Sequence, residues 1–219
     1  MTPDELLAAA YALDGPDANR ALYAQWAATY DSGFIVDSGY QYHEQVAEVF
    51  ANFGLDGVGA DEAVVDIGCG TGLAGQALRR ATSVAVDGID ISPEMLAQAA
   101  AKRHDGVPVY RTLIEADLTA PLAIPAGTYA GAISVGTFTH GHVGPQALAH
   151  VLALLRPGGR AAIGINAAHF ASAGFGPALG RLVSDGRIAD LHLVTAPIYQ
   201  DADMEDPDRV AHVAVITVC

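Results

Sequence analysis

Lysine is almost absent. Lys102 is the only one in 219 residues, and with the arginines it brings the bases to 11 against 25 acids, for a formal net charge of −14. A surface of that sign repels nucleic acid and anionic membranes, so neither is expected as a partner. Cysteine is nearly as scarce. Cys69 and Cys219 are the only two, too few and too far apart for a disulfide framework or a cysteine zinc site, which fits a reducing, cytoplasmic setting. No apolar run approaches the ~20 residues of a bilayer span, and the first residues are polar and acidic, unlike a secretory leader. What remains is a chain with 51% hydrophobic residues, enough for one well-filled α/β domain over 1–219. Residues 1–60 read as an N-terminal helical cap and 61–219 as a sheet that binds a ligand.

The chain is organised around Ala63-Val64-Val65-Asp66-Ile67-Gly68-Cys69-Gly70-Thr71-Gly72-Leu73. A short apolar run with β-branched residues predicts a buried strand, and the glycines predict a tight turn into a helix from Ala74 to Arg80. Gly68, Gly70 and Gly72 let the backbone curl with its N–H groups open and no Cβ in the way of a ligand. Asp66 places a carboxylate at the strand's end, which suits an ammonium better than a pyrophosphate. Leu73 stands where the dinucleotide fingerprint needs a small residue, which weighs against a nicotinamide cofactor. Val84 to Ile91 predicts the next strand, with Asp90 at its end about 20 residues after the glycines, the place of a ribose-binding acid. Ser92-Pro93-Glu94 then opens a helix, with Ser92 as N-cap and Pro93 at its first position.

These two segments together resemble the first two motifs of the class I S-adenosylmethionine-dependent methyltransferases. The resemblance implies a Rossmann-like, seven-stranded, mostly parallel sheet with a C-terminal antiparallel hairpin, helices on both faces and a helical lid. It also implies S-adenosyl-L-methionine as cofactor and S-adenosyl-L-homocysteine as product. On that assignment Asp66, Gly68 and Gly70 hold the amino-acid end and Asp90 the ribose, and Gly72 is a further cofactor-binding residue of the loop. Ile91 and Met95 face the adenine, Asp117 and Leu118 meet its edge, and Gly136 offers its carbonyl to the ammonium.

The cap begins with Thr2-Pro3-Asp4-Glu5, a capping box that opens a helix running to Asp14-Gly15-Pro16. A second helix from near Asp17 carries Tyr23, Trp26, Ala27 and Tyr30 on one stripe, with Trp26 read as core. It is expected to stop at Asp31-Ser32-Gly33, which leaves the Tyr30 phenol at a pocket mouth. The segment Trp26 to Asp31 resembles one that precedes the sheet in small-molecule methyltransferases, where the tyrosine lies over the methionine part of the cofactor. A further helix with Val46, Val49, Phe50 and Phe53 on one face ends at Gly54.

Downstream, Val107 to Leu113 is a third strand, with Pro108 favouring an edge. Tyr129 to Val135 is a fourth and Ala161 to Ile165 a fifth. A helix from Pro145 ends at Arg156-Pro157-Gly158-Gly159, and Asn166 to Gly176 reads as a loop before a helix over Pro177 to Ser184. Leu191 to Thr195 and Val210 to Val218 form the closing hairpin. The loop Gly136-Thr137-Phe138-Thr139-His140-Gly141-His142 leaves the fourth strand, where ligands gather in parallel sheets. His140 and His142 lack a third ligand nearby, so a metal is not expected. Either histidine has the chemistry of a general base, and both would serve equally to cap the loop.

Tyr30-Asp31, Gly39-Tyr40 and Val135 to Gly144 also resemble the methyltransferase-like proteins related to the Williams-Beuren syndrome region methyltransferase. The expected activity is methyl transfer to an O, N or C nucleophile of a small molecule, by a monomer or homodimer. A non-catalytic S-adenosylmethionine-binding module and a nicotinamide-dependent oxidoreductase are the alternatives.

Overall fold

The computed structural model of the chain describes residues 3–219. The chain enters through α1 (Pro3–Tyr11) and α2 (Pro16–Trp26), passes a π-helical turn (Asp31–Ile35) and the short α3 (Val36–Ser38), and reaches α4 (Tyr42–Phe53). Strands and helices then alternate: β1 (Ala63–Ile67), α5 (Leu73–Ala81), β2 (Ala85–Asp90) and α6 (Pro93–Ala101). Two short strands, β3 (Arg103–His104) and β4 (Val107–Pro108), precede β5 (Thr112–Glu115) and β6 (Tyr129–Phe138). A 3-10 turn at Pro145–Ala147 leads into α7 (Leu148–Ala153), followed by β7 (Leu155–Asn166), α8 (Ala167–Ala173) and α9 (Phe175–Ser184). The described chain closes with β8 (Ile188–Pro197) and β9 (Val210–Val218).

Seven strands form one sheet in the order β5-β2-β1-β6-β7-β9-β8. β5, β2, β1, β6 and β7 run parallel, and β9 runs antiparallel between β7 and β8. Strand order reverses between β1 and β6, so a crevice opens at their carboxyl ends, the place where open α/β sheets bind ligands. Every residue of β1 is buried, as a central parallel strand covered on both faces requires.

The alternation of side chains along β1 sorts the core into two layers. Val65 and Ile67 pack with Ile163, Leu148, Val151 and Phe175 on one face. Val64 packs with Val46, Phe50, Leu78 and Val213 on the other. Burial of each large side chain contributes roughly 1.5–3 kcal/mol relative to exposure. α4 thus belongs to the sheet's own helical layer, and the cap over the crevice is α1 to α3. No helix among the described residues is long and apolar enough to cross a membrane.

Several elements differ from the sequence expectation. Thr2, the expected first N-cap, lies outside the described residues. The chain does not leave the helical state at Ser32-Gly33; the Ile35 N–H reaches the Tyr30 carbonyl at 3.1 Å, and the wider turn buries Phe34 against Trp26 and Tyr30. Trp26 is half-buried, in a row of rings rather than in the sheet core. The third strand of the main sheet starts at Thr112, because Val107–Pro108 pairs backwards with Arg103–His104. Residues 156–159 are a bulge within β7, where the register with β6 jumps from Tyr129–Leu155 to Gly131–Arg160. The expected loop after Asn166 is helical: its side chain accepts from the His169 N–H at 2.9 Å and caps α8.

Candidate functional site

The crevice at the switch point is a cavity of about 1120 Å³ including its open mouth. Its floor is the loop between β1 and α5, its far wall the end of β6 with the turn that follows, and its roof Tyr23, Tyr30 and Tyr40. The loop needs its glycines at two places for different reasons. Gly68 has φ +66, and a Cβ there would stand 2.0 Å from Thr137 Oγ1, so the loop is pressed against β6. Gly70 has φ +53 and lines the cavity with nothing within 4 Å of where a Cβ would be. The first glycine lets the protein pack; the second leaves bare backbone facing a ligand.

Asp90 holds this floor in shape. One carboxylate oxygen accepts from the Gly70 N–H at 2.8 Å and the other from the Ser92 N–H at 2.9 Å. Burial pushes the Asp90 carboxyl upward, and the backbone donors of Ser92, Gly70 and Ile91 counter that shift. These donors leave at least one lone pair free, so the group remains an acceptor for a hydroxyl in the cavity. Ile91, Met95, Leu118 and Ala116 form an apolar slot beside it, with Asp117 at the rim. No lysine or arginine side chain lines this cavity.

Asp66 sits elsewhere. It is completely buried behind the loop, where Oδ2 accepts from the Tyr110 hydroxyl at 2.7 Å and Oδ1 has no hydrogen-bond partner. Burial drives its carboxyl up to about 7, against the hydrogen bonds from the Tyr110 hydroxyl and the Gly75 backbone. It does not line the cavity, and neither does Gly72, whose missing Cβ makes room for the Tyr110 ring. The two residues shape the loop from behind.

The roof brings together a pair that sequence spacing does not reveal. The Tyr23 hydroxyl lies 2.7 Å from His142 Nε2, and His142 Nδ1 lies 2.7 Å from the His140 carbonyl. A carbonyl only accepts, so Nδ1 carries the hydrogen and Nε2 receives the Tyr23 hydroxyl hydrogen. Burial lowers the His142 pKa, which keeps the ring neutral and its Nε2 lone pair available. His140 does not line the cavity; its ring packs against Tyr11 and His169, with Nε2 3.7 Å from Asp208 Oδ1. The single intervening glycine turns the two imidazoles to different sides.

Of the sequence-predicted residues, the cavity gathers Tyr30, Gly68, Gly70, Asp90, Ile91, Met95, Asp117, Leu118, Gly136 and His142. It leaves out Asp66, Gly72 and His140. Sequence reasoning missed Tyr23 as a polar group, and also Tyr40, His43 and Asn19. His43 stacks on Tyr40 and has a buried Nδ1 without a partner. Asn19 donates to the Gly141 carbonyl at 2.9 Å and so ties α2 to the histidine loop. The one available signal was the density of aromatic and histidine residues between Tyr23 and His43. Among the described residues, no group of three or more His, Cys, Asp or Glu is placed to hold a metal ion.

Residues 64–159 match the family model described as methyltransferase domain. No curated protein matches the chain by sequence. Solved structures share its fold. A chain from the complex between the Haloferax volcanii Trm112 methyltransferase activator and a methyltransferase is similar with TM-score 0.61 and 20% identity, over 91% of this chain and 96% of that one. A TehB-like SAM-dependent methyltransferase from Corynebacterium glutamicum is similar with TM-score 0.55 and 21% identity, over 93% and 100%. Geranyl diphosphate C-methyltransferase from Streptomyces coelicolor A3(2), solved with Mg2+, geranyl diphosphate and S-adenosyl-L-homocysteine, gives TM-score 0.55 and 15% identity, over 78% and 76%. The architecture is the Rossmann-like methyltransferase fold, with its antiparallel hairpin at the end of the sheet.

Proposed function

We propose that the chain binds S-adenosyl-L-methionine and transfers its methyl group to a small-molecule acceptor, releasing S-adenosyl-L-homocysteine. The observation that carries this reading is the open cradle at Gly70 beside Asp90, in a switch-point cavity without a lysine or arginine. Such a lining suits a ligand that is cationic at sulfur and nitrogen. A pyrophosphate would find no positive side chain there, and Leu73 stands where the dinucleotide fingerprint needs a small residue, which weighs against the nicotinamide reading. The match of residues 64–159 to the methyltransferase model points the same way.

In this reading the Gly68–Gly70 backbone receives the amino-acid end, and the Gly136 carbonyl takes part of its ammonium. Asp90 receives the ribose hydroxyls. Ile91 and Met95 flank the adenine, Asp117 and Leu118 meet its edge, and Tyr30 covers the methionine part. Asp66 and Gly72 act by holding the loop rather than by touching the ligand. The cofactor, when bound, supplies an electrophilic methyl group. The protein's share is to hold the acceptor in line, keep water out with the cap, and take up a proton. His142, neutral and backed by the His140 carbonyl, is the group equipped for the last task; His140 is not. The residues 135–144 support kinship with the Williams-Beuren-related branch, and the acidic, cysteine-poor chain suits a cytoplasmic protein.

The test is incubation with methyl-labelled S-adenosylmethionine and a cell extract split into small-molecule, protein and nucleic-acid fractions. The expected result is label in the small-molecule fraction. Label confined to protein or nucleic acid would contradict the small-molecule reading.

A further inference from the structure

Beside the cofactor cavity lies a second recess, about 530 Å³ including its open mouth, that shares Tyr23, Tyr30, Tyr40, Gly136 and His142 with the first as common lining. Its remaining surface is dominated by the rings of Tyr11, Trp26, Phe34, Tyr42, Phe138 and Tyr199. No Asp, Glu, Lys or Arg side chain lines it. We infer that this chamber is the acceptor subsite, and that it takes a compact, uncharged, ring-bearing molecule methylated on a hydroxyl oxygen, of the phenol class. The inference rests on the proposed function and names the acceptor that reading leaves open.

Charge decides the class. A carboxylate or phosphate entering this chamber would lose its hydration without gaining a counter-ion, which costs several kcal/mol or more. The neighbouring fold that binds geranyl diphosphate was solved with Mg2+; this chamber offers a diphosphate no basic side chain. An ammonium would be drawn to the ring faces, yet it holds the very proton that must leave before its nitrogen can attack, and no carboxylate lines the chamber to take that proton. A neutral ring avoids both costs and gains offset or edge-on contacts with the aromatic wall.

The shared wall supplies the base. Tyr23 and His142 line both cavities and are hydrogen-bonded to each other at 2.7 Å. As the acceptor oxygen forms its bond to the methyl carbon, the carbon–sulfur bond breaks and its electron pair stays on sulfur. The acceptor's hydroxyl proton passes to Tyr23 Oη while the Tyr23 proton passes to His142 Nε2. The imidazolium so formed keeps its Nδ1–H on the His140 carbonyl. Tyr23 is thereby the group that touches the acceptor, and His142 the group that stores its proton.

Trp26 is the only tryptophan in the chain and lines the second chamber alone, so its emission reports on that chamber directly. The probes are 4-methylphenol, 4-tert-butylphenol and 5-indanol, each with the matched carboxylate and methylamine on the same ring. They are titrated into the protein saturated with S-adenosylhomocysteine, while calorimetry on the same sample follows cofactor binding. The expected result is saturable change of Trp26 emission by at least one phenol, at least tenfold tighter than its carboxylate and amine partners. With labelled cofactor, the product is the methyl ether. Ala10→Leu, which fills the chamber, should abolish phenol binding with cofactor affinity unchanged; Thr139→Leu serves if that variant does not fold. Tighter binding of the carboxylate or amine, or no phenol binding in a protein that binds the cofactor normally, overturns the acceptor assignment alone. Failure to bind the cofactor overturns the proposed function and the acceptor assignment with it.

Discussion

The Thr71 hydroxyl, in the glycine loop, donates to Asp31 Oδ1 of the cap at 2.6 Å, and the other Asp31 oxygen is paired with Lys102, the chain's only lysine. One cap carboxylate therefore joins the floor of the cavity to the end of α6. Asp31→Ala should release bound cofactor roughly tenfold faster, the effect of about 1.4 kcal/mol in one charge-assisted contact. Stopped-flow displacement measures this; an unchanged rate would show that the cap does not retain the ligand.

Two glycines separate packing from binding. Gly68→Ala puts a Cβ 2.0 Å from Thr137 Oγ1 on a backbone with φ +66, so thermal stability should fall by more than the roughly 1–2 kcal/mol that left-handed backbone costs alone. Gly70→Ala meets no protein atom within 4 Å and should cost no more than that backbone term, about 1–2 kcal/mol. Its Cβ points into ligand space, so cofactor affinity should drop tenfold or more. Equal melting losses for the two variants, with equal affinities, would refute the distinction.

Asp66 gives the fold a pH dependence. Below pH 3.8 its proton is bound in both folded and unfolded chains, and the residue costs nothing. As the pH rises from there toward about 7, the unfolded chain releases the proton and the folded protein retains it, so stability declines across that window. The decline from this one group is at most about 4 kcal/mol, at 1.36 kcal/mol per pKa unit. Asp66→Asn keeps an acceptor for Tyr110 and removes the titration, so its melting temperature should lose this slope between pH 4 and 7 and exceed the wild type's above it. A slope identical to wild type would place the carboxylate's charge elsewhere.

His142 should be silent in stability near neutrality and visible in turnover. Burial holds its pKa below the usual histidine value, so the neutral ring is present above that lowered value and is lost as the pH falls through it. Activity should therefore rise with pH on the acid side and level off below the ordinary histidine range. His142→Gln and Tyr23→Phe should each lower kcat by roughly 10²–10⁴-fold if the pair carries general base catalysis, with cofactor affinity little changed. A pH profile identical between wild type and His142→Gln would remove the ring from proton transfer.

The sheet and the glycine floor were legible because their signals are local. Val64 to Leu73 carries strand, turn and helix start within ten residues, and Asp90 braces Gly70 at the distance along the chain where an acid belongs. The contacts that complete the roof are not local. Tyr23 meets His142 across 119 residues, and Asp31 meets Lys102 across 71. No periodicity encodes those meetings; they follow from where the cap sits on the sheet. Asp66 shows the limit from the other side. Its position in the motif suggested the ligand, yet its side chain turns behind the loop toward Tyr110, which is 44 residues on and lies in a stretch the sequence assigned to a strand. The third strand does lie at the edge of the sheet, as Pro108 suggested, but it starts only at Thr112, because Val107–Pro108 pairs with Arg103–His104 instead.

The most direct test is a calorimetric titration of S-adenosyl-L-methionine and S-adenosyl-L-homocysteine into the wild-type protein and into Asp90→Ala. One saturable site per chain is expected for both ligands, with affinity reduced at least tenfold in a variant that remains folded by circular dichroism. Absence of binding to the folded wild-type protein, or the same affinity in folded Asp90→Ala, would contradict this expectation.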